Sequence, residues 1–94
     1  MCGAMPVLTD RQKTLLLLII RDYIESAQPV GSKRLVEQYH LRLSSATIRN
    51  EMGALTEMGY LRQPHTSAGR VPTEEGYRFF VSQMMNQAEL PALA

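Results

Sequence analysis

The chain has 94 residues, 45% of them hydrophobic, and a formal net charge of +1. This length and composition fit one folded domain with a small core and exclude a second domain or a deep catalytic cavity. A single cysteine (Cys2) excludes an internal disulfide, and the absence of a long apolar run or a signal-peptide pattern leads us to expect a soluble cytoplasmic domain.

The first helix is predicted to follow a flexible N-terminal tail over residues 1–8. Thr9 and Gln12 have the spacing of a capping box, in which each side chain binds the backbone N–H of the other residue. The apolar residues after position 14 cover more than one side of this helix, so we expect it to lie at the centre of the domain. Pro29 ends it, because proline disfavours a helical conformation at the residue before it.

Two shorter helices come next, separated by only a few residues. Ser32 is predicted to cap a helix over residues 33–40, and Ser44 is predicted to cap a third helix. Residues 48, 52 and 55 form one apolar stripe along the third helix. Gly59 can take the left-handed conformation that ends such a helix. Two closely joined helices are the helix-turn-helix arrangement.

A β-hairpin and a last helix complete the chain. Residues 60–63 and 69–71 are predicted to be two short strands joined by a polar turn, and Pro72 closes the hairpin. Thr73 is predicted to cap the last helix, whose inner stripe contains Tyr77, Phe80, Val81 and Met84. The sequence thus predicts a mainly α winged helix-turn-helix domain over residues 9–85, with three helices, a two-stranded wing, a C-terminal helix and a frayed segment over 86–94.

The third helix is the candidate for reading DNA in the major groove. Its face away from the apolar stripe carries Ala46, Arg49, Asn50 and Gly53. Arginine suits guanine, asparagine suits adenine, and alanine can contact a thymine methyl group. Glycine in a helix costs about 1 kcal/mol relative to alanine, which either a close approach of the duplex or poor local optimisation explains. Exposed arginine and asparagine are ordinary surface residues in most proteins, so their position in the capped third helix carries the argument.

Backbone phosphates are the expected partners of a second group of residues. Hydroxyls and free N–H groups at the start of the third helix suit a phosphate, although Ser44 also has a capping role. Candidates for phosphate contact there are Ser44, Ser45 and Thr47, and at the start of the second helix Ser32, Lys33 and Arg34. In the wing they are His65, Thr66, Ser67 and Arg70, with Arg70 also suited to a minor groove. A plain solvated hairpin is the alternative for the wing.

The charge distribution agrees with this placement, although a modest basic surface is often only solvated. Residues 33–70 contain six basic and three acidic side chains, whereas the rest of the chain contains four basic and six acidic ones. No residue pattern of a catalytic site, a phosphate-binding loop or a metal site is present, so we expect no cofactor, no metal and no enzyme activity.

Four segments, residues 27–33, 44–52, 55–61 and 63–73, closely resemble the N-terminal domain of the HrcA family of heat-inducible transcription repressors. The segment Gln-Pro-His-Thr-Ser-Ala-Gly-Arg-Val-Pro-Thr of the wing is the most specific of them. The resemblance implies repression of heat-shock chaperone operons at the inverted-repeat operator CIRCE, by a bacterial homodimer that depends on the GroEL chaperonin. Family members are several times longer than this chain. Dimerisation and effector sensing are implied for the longer protein and not for this domain.

The main alternative is a winged helix that binds another protein and no DNA, since a fold does not dictate a function. The low net charge keeps this alternative open. It predicts that Arg49, Asn50 and Arg70 can be replaced by alanine without effect, whereas exposed apolar residues such as Met85 are required.

Overall fold

A computed structural model describes residues 8–65 and 67–86. Within these residues the chain forms four helices and one two-stranded antiparallel sheet. The elements in chain order are α1 (Asp10–Ser26), α2 (Ser32–Tyr39), α3 (Ser45–Glu57), β1 (Leu61–Arg62), β2 (Val71–Pro72) and α4 (Glu74–Asn86).

Helix α1 begins at the predicted capping box. The backbone N–H of Gln12 donates to Thr9 Oγ1 at 3.0 Å, and the backbone N–H of Thr9 donates to Gln12 Oε1 at 3.1 Å. The helix ends at Ser26, and Ala27 takes the left-handed conformation with φ of 58°. Its buried side chains include Leu16, Ile19 and Ile20, so α1 is the central helix of the domain, as predicted.

Helix α2 begins one residue earlier than predicted, and the prediction that Ser32 caps it is wrong. Gly31 is the N-cap residue and provides no side-chain hydrogen bond, while Ser32 is already helical. The helix starts there because the N–H of Leu35, whose side chain is fully buried, donates to the carbonyl of Gly31 at 3.2 Å. His40 ends α2 with a left-handed φ of 52°.

Helix α3 confirms the predicted start and stop signals. Ser44 Oγ accepts a hydrogen bond from the N–H of Thr47 at 3.1 Å, and Gly59 follows the helix with φ of 90°. Ile48, Met52 and Leu55 are all buried, as the stripe predicts.

The sheet is smaller than predicted because the second strand segment is divided between two partners. Leu61 pairs with Pro72 and Arg62 pairs with Val71, whereas Arg70 pairs with Val30, in the segment before α2. Pro72 is therefore part of β2 and does not merely follow it. Proline is tolerated at the margin of a sheet, where its missing N–H breaks no ladder.

The core lies between α1, α2, α3 and the base of the hairpin. Eleven apolar side chains form one cluster, to which the N-terminal half, the helix-turn-helix and the hairpin all contribute: Leu8, Leu15, Leu16, Ile19, Ile20, Val30, Leu35, Ile48, Met52, Leu55 and Leu61. Leu8 was predicted to belong to the flexible tail and is only 7% exposed. The folded part therefore includes Leu8, because its side chain packs in the core; the rest of the tail, residues 1–7, lies outside the described residues.

Thr73 caps helix α4, as predicted, and the helix itself begins at Glu74, but it does not bury the predicted stripe. The N–H of Gly76 donates to Thr73 Oγ1 at 3.1 Å, and Tyr77 and Phe80 are partly buried against the core. Val81 is 52% exposed and Met84 is 43% exposed, so both assignments to the inner stripe are wrong. The helix contacts the core through its first two turns, and most side chains of residues 81–85 are exposed. It ends at Asn86, and residues 87–94 of the predicted frayed segment lie outside the described residues.

Candidate nucleic-acid interface

The outer face of α3 carries the predicted base-reading residues. Ala46, Arg49 and Asn50 are exposed, on the side of the helix opposite the buried Ile48 and Met52. The cap at Ser44 and the apolar stripe together fix which way this face points. The structure thus presents Arg49 and Asn50 side by side to solvent, in the first two turns of the helix.

Gly53 continues this face one turn further along α3. A Cβ atom added at Gly53 meets no other protein atom within 4 Å, and its φ is not in the left-handed region. Neither packing nor backbone conformation in the free domain therefore requires glycine at this position. The space above Gly53 is open to an outside molecule.

Two of the three hydroxyls at the start of α3 are used within the protein. Ser44 Oγ caps the helix and also donates to Thr47 Oγ1 at 3.0 Å. Thr47, a predicted phosphate contact, is thus linked to the cap through its own hydroxyl. Ser45 is half-buried and lies beside Arg49 on the surface described next.

An open concave surface joins the start of α2, the start of α3 and the wing, and we call it the concave surface. The wing here means residues 61–65 and 67–72. Ten residues line the concave surface: Gly31, Ser32, Lys33, Ser45, Arg49, Met52, Gln63, Ala68, Gly69 and Arg70. Five of the predicted site residues, Ser32, Lys33, Ser45, Arg49 and Arg70, are brought together here from three parts of the chain.

Arg34, whose predicted contact with a phosphate stays a prediction, is engaged with α1 in this structure. Its Nε donates to Asp22 Oδ2 at 2.6 Å and its Nη2 donates to Asp22 Oδ1 at 3.1 Å. The hydrogen bond and charge of Asp22 raise the pKa of Arg34 above its ordinary value. Arg34 does not line the concave surface, and its guanidinium holds α2 to α1.

Arg70 lines the concave surface but also binds the protein itself. Its Nε donates to Thr56 Oγ1 at 3.0 Å, and its Nη1 donates to the carbonyl of Ala68 at 2.9 Å. Thr56 was missed by sequence reasoning, because the two residues are 14 positions apart and no local pattern links them.

The wing tip has its own internal hydrogen bonds. Ser67 Oγ accepts from the N–H of Gly69 at 3.0 Å, and the carbonyl of Ser67 accepts from Gln63 Nε2 at 3.3 Å. Gly69 is also required for close packing, because a Cβ atom there would lie 2.9 Å from the carbonyl carbon of Pro29. His65 is exposed, and Thr66, also a predicted site residue, lies outside the described residues.

The cationic side chains near the concave surface are free of carboxylate partners among the described residues. Lys33, Arg49 and Arg62 are exposed and form no salt bridge within this part of the chain. The ion pairs elsewhere join Arg11 with Glu51, Arg34 with Asp22, and Arg78 with Glu74 and Glu75. Seven of the ten Lys and Arg side chains are outside these ion pairs, of which five lie between Lys33 and Arg70 and two, Lys13 and Arg21, are exposed on α1. Unpaired positive charge is therefore more abundant around α2, α3 and the wing than on α1.

A helix-turn-helix followed directly by a two-stranded wing defines a winged-helix domain, and this chain has that fold. No helix in the described ranges is long and apolar enough to cross a membrane. The sequence model of the family of winged helix-turn-helix transcription repressors, HrcA DNA-binding, matches residues 7–86. The chain belongs to this family.

Curated relatives and a solved structure agree with this assignment. The heat-inducible transcription repressor HrcA of Acetivibrio thermocellus is 60% identical over 83 residues, which cover 88% of this chain and 24% of that protein. The repressor of the same name from Roseiflexus castenholzii is 55% identical over 85 residues, which cover 90% of this chain and 24% of that protein. A crystal structure of a hypothetical protein at 2.2 Å resolution is similar with a TM-score of 0.80 and 51% identity, over 84% of this chain and 25% of the other. The chain thus spans about a quarter of the length of the relatives it matches.

Proposed function

We propose that this domain binds duplex DNA sequence-specifically, as the DNA-reading part of a longer bacterial transcription repressor of heat-shock genes. The observation that carries the proposal is the concave surface, where Ser45 and Arg49 of α3 meet the start of α2 and the wing. Asn50 lies next to Arg49 on the exposed side of α3, outside that surface. The curvature and unpaired positive charge of the concave surface suit a negatively charged rod such as the DNA duplex. Family membership supports the same conclusion.

The chemistry of each side chain determines which part of the DNA it contacts. Arg49 and Asn50 read base edges from α3, because their planar donor groups can form paired hydrogen bonds with guanine and adenine. Lys33, Ser32 and Ser45 contact phosphates on either side of the groove and fix the position of the helix. The wing follows the neighbouring phosphate strand.

The target is the inverted-repeat operator CIRCE, by the resemblance to the family. An inverted repeat is read by two domains related by a two-fold axis, so the full repressor acts as a homodimer in the cytoplasm. Coupling to the GroEL chaperonin belongs to the longer protein. The isolated domain binds one half-site weakly, because it lacks the effective concentration that a linked pair provides.

The test is a fluorescence-anisotropy titration of the 94-residue chain against a CIRCE duplex and a scrambled duplex of equal length, at two salt concentrations. We expect Arg49→Ala and Asn50→Ala each to lose about 1–3 kcal/mol of operator binding. Arg21→Ala is the matched control, since Arg21 is an exposed arginine on α1 that does not line the concave surface. Equal losses in Arg49→Ala and Arg21→Ala would contradict base reading.

A protein-binding module is the second candidate, and the exposed apolar side chains favour it. Ile24, Val81, Met84 and Met85 are between 43% and 71% exposed, and the last three lie on α4. This candidate predicts no retention on DNA-cellulose at low salt and no effect of Arg49→Ala. Retention that Arg49→Ala weakens would exclude it as the sole function.

A further inference from the structure

Arg70 stands at the junction of three parts of the domain. Its backbone N–H and carbonyl both pair with Val30, each hydrogen bond being 2.9 Å long. Its side chain then crosses to α3, where Nε donates to Thr56 Oγ1 at 3.0 Å. Arg70 thus joins the wing to two other parts of the domain. Its two backbone hydrogen bonds reach the segment before α2, and one side-chain hydrogen bond reaches α3.

Thr56 passes this contact on to the backbone of α3. Its hydroxyl donates to the carbonyl of Met52 at 2.7 Å while accepting from Arg70. A hydroxyl that donates and accepts at once forms a polarised chain in which each hydrogen bond strengthens the other. Arg70 is therefore held to the body of the helix and not to a mobile side-chain end.

The Arg70–Thr56 contact holds α3 at a point well away from Arg49. Thr56 follows Arg49 by seven residues, which is about 10 Å along the helix axis at 1.5 Å per residue. A small rotation of α3 about the anchored end consequently displaces Arg49 relative to the wing.

We infer that the Arg70–Thr56 contact sets the angle between the wing and α3, and that Arg70 affects DNA binding mainly through this contact. Arg70 and Thr56 are then positioning residues, in place of the direct minor-groove contact predicted for Arg70. The inference rests on the proposed DNA-binding function.

The test compares Thr56→Val, Thr56→Ser, Arg70→Ala and the Thr56→Val/Arg70→Ala double variant, in the 94-residue chain, on the operator and scrambled duplexes. We expect Thr56→Val to weaken operator binding by up to about tenfold, with little effect on scrambled DNA, because restoring the wing angle on binding costs at most about what the lost hydrogen bond to a charged group contributed. Thr56→Ser keeps the hydroxyl and should bind like the unaltered chain. The double variant should bind the operator no more weakly than the weaker-binding of the two single variants, because Thr56→Val and Arg70→Ala remove the same contact.

A nuclear magnetic resonance measurement checks the contact without DNA. The Nε–H signal of Arg70 should exchange slowly with water in the unaltered chain and in Thr56→Ser, and quickly in Thr56→Val. Thr56→Ala, with a smaller and more helix-favouring side chain, gives the same comparison if Thr56→Val does not fold.

Two outcomes would overturn the inference: one leaves the proposed function intact, and the other does not. If Thr56→Val and Thr56→Ala bind normally while Arg70→Ala weakens both duplexes equally and lowers the salt slope by about one, Arg70 contacts a phosphate directly. If the unaltered chain shows no preference for the operator at all, the proposed function fails and the inference fails with it.

Discussion

Asp22 and Arg34 form a two-point ion pair that joins α1 to α2. The Asp22 side chain is 1% exposed, and both of its oxygens accept hydrogen bonds from Arg34, whose side chain remains 48% exposed. A buried carboxylate is costly unless it is paired and hydrogen-bonded, so Arg34 compensates a charge that the fold has already buried. The pair fixes where α2 begins relative to the central helix.

Arg34→Ala should destabilise the domain, because it leaves Asp22 buried without its partner. We expect the melting temperature to fall by several degrees in a thermal unfolding experiment. The operator affinity of the folded variant should change little, and the salt slope of binding should be unaltered. Arg34→Lys is the control: it keeps the charge but not the two-point geometry, so it should be intermediate in stability. A normal melting temperature with a reduced salt slope would instead show that Arg34 contacts phosphate.

Gly53→Ala should stabilise the free domain and weaken its binding to DNA. The added methyl group meets no protein atom within 4 Å, and alanine is favoured over glycine in a helix by about 1 kcal/mol. The same methyl group would stand between α3 and the duplex, so operator affinity should fall severalfold. Denaturant unfolding and anisotropy titration measure the two effects. Ser82→Ala, on exposed α4, should stabilise slightly without changing affinity; unchanged binding by Gly53→Ala would remove Gly53 from the interface.

Gly76→Ala should destabilise the domain, in contrast to Gly53→Ala. Gly76 is buried in the first turn of α4, and a Cβ atom there would overlap the carbonyl oxygen of Tyr60. Backbone cannot move aside as the end of a side chain can, so we expect a loss of about 2 kcal/mol in the free energy of unfolding. Gly53→Ala serves as the matched comparison, since it makes the same change at a helical glycine with open space. Equal stability of the two variants would show that α4 shifts without cost.

Ala27→Gly should stabilise the domain. Ala27 is exposed and has φ of 58°, a left-handed conformation that costs a residue with a Cβ atom about 1 kcal/mol. Glycine removes this cost, and its greater freedom in the unfolded chain offsets part of the gain. Ala46→Gly, at an exposed position in the first turn of α3, should instead lose up to about 1 kcal/mol of the free energy of unfolding. Urea titrations of both variants measure the two effects. A destabilised Ala27→Gly would mean that the end of α1 does not carry this strain.

Local signals in the sequence were sufficient for most of the element boundaries. The capping box at Thr9, the cap at Ser44 and the left-handed Gly59 all involve residues within four positions of one another, so a pattern can reveal them. The buried stripe of α3 follows equally from its 3.6-residue period. The exposed positions of Arg49 and Asn50 then follow by elimination.

Features that depend on tertiary contacts were missed or misassigned. Val81 and Met84 continue the apolar period of α4, yet the core ends before it reaches them. Asp22 and Thr56 are the partners of Arg34 and Arg70, at separations of 12 and 14 residues that no short motif covers. For this reason a surface arginine could be recognised from the sequence, but the task it performs could not.

The pairing of Val30 with Arg70 bears on how the domain folds. These residues are about forty positions apart in the sequence. Their two mutual hydrogen bonds form only when the loop between them closes. Closing a loop of about 40 residues costs about 1 kcal/mol more in chain entropy than closing a loop of about 10 residues. The helices, whose contacts are local, therefore have the advantage of forming first. Contacts made after the folding barrier affect mainly the rate of unfolding. The base of the wing is therefore expected to govern how long the folded domain persists, with little influence on how quickly it forms.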